Sequence, residues 1–126
     1  MKKIIYTKNA PSPIGPYSQA TMIGNMLYTS GQIAINPKTN EMVLDTIENE
    51  TKQVMENLKA VLTEAGMTFE NVFKTTIFIS DMNNFSKIND VYGKYFNTEI
   101  APARETVEVA NLPKYVNVEI SVIATL

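Results

Sequence analysis

The sequence predicts an α+β fold, a β-sheet covered on one face by two helices. Three observations predict it: a long amphipathic helical period, a second shorter one, and β-branched runs placed before, between and after them. The order reads strands, helix, strand, helix, two strands. With 126 residues, 44 % of them hydrophobic, the chain can bury one core without disulfides or metal, so a single domain over residues 1–126 is expected.

The first strand-like run is Met26 to Ile35, rich in β-branched and aromatic residues. From Ile47, the residues Ile47, Thr51, Val54, Leu58, Val61 and Ala65 recur at helical spacing, while Lys52, Glu56 and Lys59 point elsewhere. Asp45 with Glu48 three residues on suggests a capping box, and Gly66 suits a left-handed C-terminal cap. Val72 to Ser80 is the next strand. Asp81-Met82-Asn83-Asn84 then caps a second helix marked by Phe85, Ile88, Tyr92 and Tyr95, with Gly93 weakening its end. Thr106 to Ala110 and Val116 to Ala124 close the chain as strands. In the last, Val116, Val118, Ile120 and Val122 alternate with Asn117, Glu119 and Ser121. A hairpin around Leu112-Pro113-Lys114-Tyr115 is expected, which would seat Glu119 near Glu108 and roughly 13 Å from Arg104. Two helices cover one sheet face and nothing is left for the other, so that face must be polar or buried by another subunit.

Composition removes whole classes of chemistry. There is no cysteine and no histidine, so thiolate nucleophiles, imidazole bases, disulfides and most zinc or haem ligation drop out. A net charge of −2 and a pI near 5.1 disfavour nucleic-acid binding. No apolar run approaches the roughly 20 residues of a membrane span, and Thr7, Lys8 and Asn9 interrupt the apolar start too early for a signal peptide. A soluble, cytoplasmic protein without membrane or nucleic-acid partners is expected.

The remaining candidates are few. In Ala101-Pro102-Ala103-Arg104-Glu105-Thr106-Val107-Glu108, Arg104 opens a strand and its planar guanidinium can grip a carboxylate through two parallel donors. A surface Arg paired with Glu105 or Glu108 fits the same spacing. Glu119 stands in the most strongly β-patterned segment, either as part of a solvated sheet face or as a working acid-base group. Gly15-Pro16-Tyr17-Ser18-Gln19 is a rigid turn presenting a phenol, and Thr29-Ser30-Gly31-Gln32 breaks a strand with a glycine that permits close ligand approach or marks a bulge.

Taken together, these pieces resemble the reactive intermediate deaminase family, the RidA-like or YjgF proteins. The matching segments are Gly15 to Gln19, Thr29 to Gln32, Asn57-Leu58-Lys59-Ala60-Val61-Leu62 with Glu64-Ala65-Gly66, and Pro102-Ala103-Arg104 through Val118-Glu119-Ile120. The resemblance covers essentially the whole chain. It implies a chorismate-mutase-like fold with a mixed sheet, assembled as a homotrimer around a central β-barrel with clefts between subunits. It further implies a cofactor-independent hydrolase that converts 2-iminobutanoate, 2-iminopropanoate and their enamine tautomers to 2-keto acids and ammonia. On the matching positions Arg104 would hold the substrate carboxylate, Thr106 would offer its backbone NH, Glu119 would move protons, and Tyr17, Ser30, Gly31 and Asn89 would complete the cleft. No metal is implied. One departure stands out: the family usually has a small or apolar residue after the Arg, where this chain has Glu105, and often a cysteine where it has Thr106. Alternation directs Glu105 away from Arg104. Two other classes remain in view. A ribonuclease or translation inhibitor is disfavoured by the acidic charge and missing histidine. A non-catalytic module that binds a small carboxylate would use the same Arg104 cleft.

Overall fold

The structure, a computed structural model, describes residues 1–126. Its strands are β1 (Lys3–Ile5), β2 (Ala20–Ile23), β3 (Met26–Thr29), β4 (Val72–Ile79), β5 (Ala103–Glu108) and β6 (Val118–Thr125); its helices are α1 (Ile47–Glu64) and α2 (Phe85–Gly93). They form one mixed six-stranded sheet in the order β1-β2-β3-β6-β4-β5, in which only β4 and β5 run parallel. The fold class is the expected α+β, with both helices on one face.

Both helices form where their apolar periods lie. Thr46, rather than Asp45, caps α1 by accepting the backbone NH of Asn49; Asp45 instead receives the Asn49 side-chain amide. Gly66 takes the left-handed conformation expected after the helix. Val54, Met55, Leu58, Val61 and Leu62 are fully buried, a gross contribution of roughly 10 kcal/mol at about 2 kcal/mol per side chain. They pack with Ile88 and Tyr92 of α2 onto Ile77, Ile79, Val118, Ile120 and Val122 of the sheet.

Two sequence expectations are corrected. β5 and β6 do not form a hairpin: β4 lies between them, paired in parallel with β5 and antiparallel with β6. The β4-α2-β5 segment forces this, because a helix between two strands returns the chain to the same end of the sheet and gives parallel neighbours. The run from Met26 is a strand only to Thr29. There the Thr29 hydroxyl accepts the NH of Val122 at 2.9 Å, so a side chain replaces the backbone in the ladder. Beyond it the chain touches β6 again only at the Gln32–Ile120 bridge. The sheet also includes β1 and β2, both too short to show a period. The β2–β3 hairpin turns at Gly24-Asn25, with Gly24 left-handed, a turn signal present in the sequence.

The uncovered face carries Ile4, Ile23, Tyr28 and Val107, each exposed, beside half-buried Phe78 and Ile123 and the polar Thr76 and Ser121. No helix is long and apolar enough to cross a membrane.

Candidate active site

The irregular stretch after β3 builds one cavity. Because the ladder breaks at Thr29, the segment Ser30 to Ile35 bows out beside β6 and walls a space of about 500 Å³. Pro11, Ile14 and Tyr17 form a second wall, Pro113 and Lys114 a third, and Glu119 projects from β6. Each wall is tied down. Buried Gln19 accepts the NH of Thr7 at 2.7 Å and donates to the carbonyls of Thr7 and Pro11, stapling the N-terminal loop to β2. Buried Asn57 of α1 donates to the carbonyls of Ile33 and Ile35 at 3.1 and 3.0 Å. The Ser30 hydroxyl donates to the Ser18 carbonyl at 2.6 Å, and the Tyr17 phenol accepts the NH of Ile14.

Glu119 lies directly against Gly31. A Cβ built on Gly31 would stand 2.6 Å from Glu119 Cδ and 2.8 Å from Cγ, so only glycine leaves room for the carboxyl. Burial raises the pKa of Glu119 above the ordinary carboxylate value. A carboxyl whose proton is held more tightly can exchange it closer to neutral pH, as acid-base catalysis needs.

Arg104 occupies a different place. It pairs with Thr75 of β4 and so faces the helix side at the sheet edge. Its guanidinium lies 5.1 Å from the Tyr92 ring centre and 5.5 Å from that of Phe85, and it donates to Asn89 Oδ1 at 2.6 Å. Tyr92 is itself fixed by a 2.8 Å hydrogen bond with Thr75. Burial raises the Tyr92 pKa, against the lowering effects of that bond and of Arg104, so the ring meets the cation as a neutral phenol. Asn89 is the one hydrogen-bond partner of the Arg104 guanidinium in the chain, and Arg104 lines a cavity with Thr98, Ala101 and Pro102. In sequence Phe85 and Tyr92 only mark the second helix; their place around Arg104 appears with the β4–β5 register.

Glu105 points to the opposite face, where it meets Lys74 at 3.1 Å and accepts from Thr76. It does not contact Arg104. Thr106 is half-buried on Arg104's side of the strand, and its hydroxyl oxygen is shielded without a hydrogen-bond partner. The structure brings Tyr17, Ser30, Gly31 and Glu119 together, and Arg104 with Asn89, but keeps the two groups apart. Glu119 pairs with Phe78 on β4, three residues from Thr75, so the two sites are about 10 Å apart along the strands and about 10 Å across them. They also lie on opposite faces of the sheet, since Thr75 and Phe78 differ by an odd number of residues. No three His, Cys, Asp or Glu side chains converge anywhere.

The fold and the two residue clusters define a class: a small α+β protein with an edge Arg beside one cavity and a half-buried carboxyl of raised pKa in another. The chain belongs to the Endoribonuclease L-PSP family, which matches residues 7–126. It is 53 % identical to a RutC family protein of Pyrococcus horikoshii over 98 % of both chains. It is 49 % identical to the 2-iminobutanoate/2-iminopropanoate deaminase of Dermatophagoides farinae over 99 % of this chain and 97 % of that one. Among solved structures, YyfA of Yersinia pestis, a member of the conserved Rid protein family, superimposes with a TM-score of 0.97 at 55 % identity over 100 % of both chains.

Proposed function

We propose that this protein hydrolyses 2-imino acids and their enamine tautomers to 2-keto acids and ammonia, as a homotrimer whose clefts join Arg104 of one subunit to Glu119 of the next. The Glu119 cavity carries the reading: a carboxyl of raised pKa, bare glycine beside it, Tyr17 and Ser30 around it, and space for a small acid. A relative half identical in sequence and bearing the deaminase name supports it. Because Arg104 and Glu119 stand on opposite faces of one sheet, a neighbouring copy is needed to bring them to one small substrate. The apolar residues of the uncovered face supply a surface for that copy.

In the reaction, Arg104 holds the substrate carboxylate and Glu119 orients a water. The water oxygen bonds to the imine carbon while the C=N π pair moves to nitrogen; Glu119 takes one proton from the attacking water and passes it to that nitrogen, giving a carbinolamine. Glu119 then takes the remaining hydroxyl proton and delivers it to the nitrogen as the C–N bond breaks and the oxygen lone pair forms the carbonyl, releasing ammonia and leaving the 2-keto acid. An imine carbon is already electrophilic, so orientation and proton transfer suffice.

The test couples purified protein to an amino-acid dehydratase and follows 2-keto acid release. Faster release than with the dehydratase alone is expected; equal rates would overturn the proposal. For the shared cleft, Arg104→Ala and Glu119→Ala proteins, each inactive alone, should regain part of the activity once their subunits exchange. Demonstrated exchange without recovery would refute it.

A further inference from the structure

Glu50 is completely buried, yet no Lys or Arg pairs with it. Its Oε2 accepts the backbone NH of Asn117 at 2.8 Å and that of Val118 at 3.3 Å, and its Oε1 accepts the Asn117 side-chain amide at 2.8 Å. Burying a carboxylate costs several kcal/mol, and a well-packed apolar side chain avoids that cost, so stability alone does not explain the residue. Its place in the first turn of α1 lets the helix dipole offset part of the charge.

What Glu50 grips explains it better. Asn117 and Val118 run directly into Glu119, and just ahead of them lie Lys114 and Tyr115, with φ of 55° and 56°. Two successive non-glycine residues in the left-handed region each cost on the order of 1 kcal/mol and persist only where the surroundings fix them. Lys114 lines the Glu119 cavity. Asn117 passes the hold onward: its carbonyl accepts the NH of Ser80 at 3.1 Å, and its Oδ1 accepts the Ser80 hydroxyl at 3.3 Å. Glu50 therefore holds Asn117, the residue that joins the left-handed turn to β6 and also carries the end of β4.

We propose that Glu50 is a positioning residue, a buried clamp on Asn117 and Val118, between the Lys114–Tyr115 turn and Glu119, that fixes where Glu119 and Lys114 stand in the cavity. This rests on the reading of Glu119 as the working carboxyl. The test exploits the polarity of the Glu50–Asn117 pair. In Glu50→Gln the new amide faces the Asn117 amide, donor against donor. Adding Asn117→Asp reverses the pair: the Gln amide donates to the introduced carboxylate, which still accepts from Ser80, while the Gln oxygen takes the two backbone NH groups.

Two readouts are compared, the titration of the Glu119 carboxyl carbon by NMR, with Tyr17 and Lys114 the other titratable groups around its cavity, and the kcat and KM for imine hydrolysis. Expected is a Glu119 titration moved towards ordinary carboxylate behaviour in Glu50→Gln, with kcat down roughly tenfold and KM little changed. The double variant should return both close to wild type. A Glu50→Gln protein with a lower Tm but unchanged titration and kcat would show a merely structural residue and overturn the proposal, as would a double variant that regains Tm alone. Asn117→Leu, which keeps both backbone donors, is predicted to shift the titration less and in the same direction; no shift there counts against the clamp even if Glu50→Gln does not fold. If the wild-type protein hydrolyses no imine, the functional reading falls while the titration still decides the role of Glu50.

Discussion

Gly31→Ala isolates the contact between Gly31 and Glu119. Ordinary carbon contacts are about 3.5–4.0 Å, so an alanine Cβ at 2.6 Å from Glu119 Cδ obliges the carboxyl to retreat by about 1 Å. The Gly31 backbone is not left-handed, so alanine itself is unstrained there. Glu119 is only half-buried and can swing into its cavity, which keeps the stability loss within the roughly 1–3 kcal/mol of overpacking. A displacement of about 1 Å at a reacting group costs up to ~100-fold in rate. The expected result is therefore a folded protein whose kcat/KM in the dehydratase-coupled assay falls between ~10-fold and ~100-fold. A double-mutant cycle read in thermal melts makes it specific: on a Glu119→Ala background, Gly31→Ala should no longer lower Tm, because the carboxyl it crowds is gone. Activity in Gly31→Ala above half of wild type, or an equal loss of Tm on both backgrounds, would refute the reasoning.

Replacing Arg104 by Lys keeps the charge but loses the fork, and kcat/KM should drop ~10-fold to ~150-fold, the worth of a charge-assisted hydrogen bond, with an unchanged melt; retained activity would remove Arg104 from the site. Glu105→Ser should leave kcat/KM within about twofold and cost under about 1 kcal/mol in a thermal melt, since Glu105 meets Lys74 on the other face; a large loss of activity would make Glu105 a participant. Glu119→Gln should melt higher than wild type at pH 7. The raised pKa means the folded protein binds more protons than the unfolded chain between about 4.3, the ordinary Glu value, and the folded value, so wild-type stability falls as pH rises through that window. Paired melts should show the advantage of Glu119→Gln vanish below about pH 4; the same gain at both pH values would show that burial of charge is not its cause.

Much of this was legible in the chain. The periods of Ile47 to Ala65 and Phe85 to Tyr95 located both helices, and alternation in Val116 to Ala124 located β6, with ends displaced by a residue or two from α2 (Phe85–Gly93) and β6 (Val118–Thr125), because burial of one face imposes a repeat that local sequence must carry. Alternation also placed Glu105 opposite Arg104. Strand neighbours are another matter. The Leu112 to Tyr115 turn looks like a hairpin by itself, and only the insertion of β6 between β3 and β4 denies it, since pairing partners are chosen by which edges the helices and earlier strands leave open.

The sequence by itself determined the α+β class, the absence of thiol and imidazole chemistry, and the identity of Arg104, Glu119 and Gly31 as candidates. Tertiary structure alone decided that Glu119 touches Gly31, that Phe85 and Tyr92 frame Arg104, that Glu50 holds the start of β6, and that Arg104 and Glu119 stand on opposite faces of one sheet. The physical reason is range. Helical and strand periods are written over neighbouring residues, whereas a site is made where segments as distant as Glu50 and Asn117 meet, and nothing local records which distant segment a buried polar group will find.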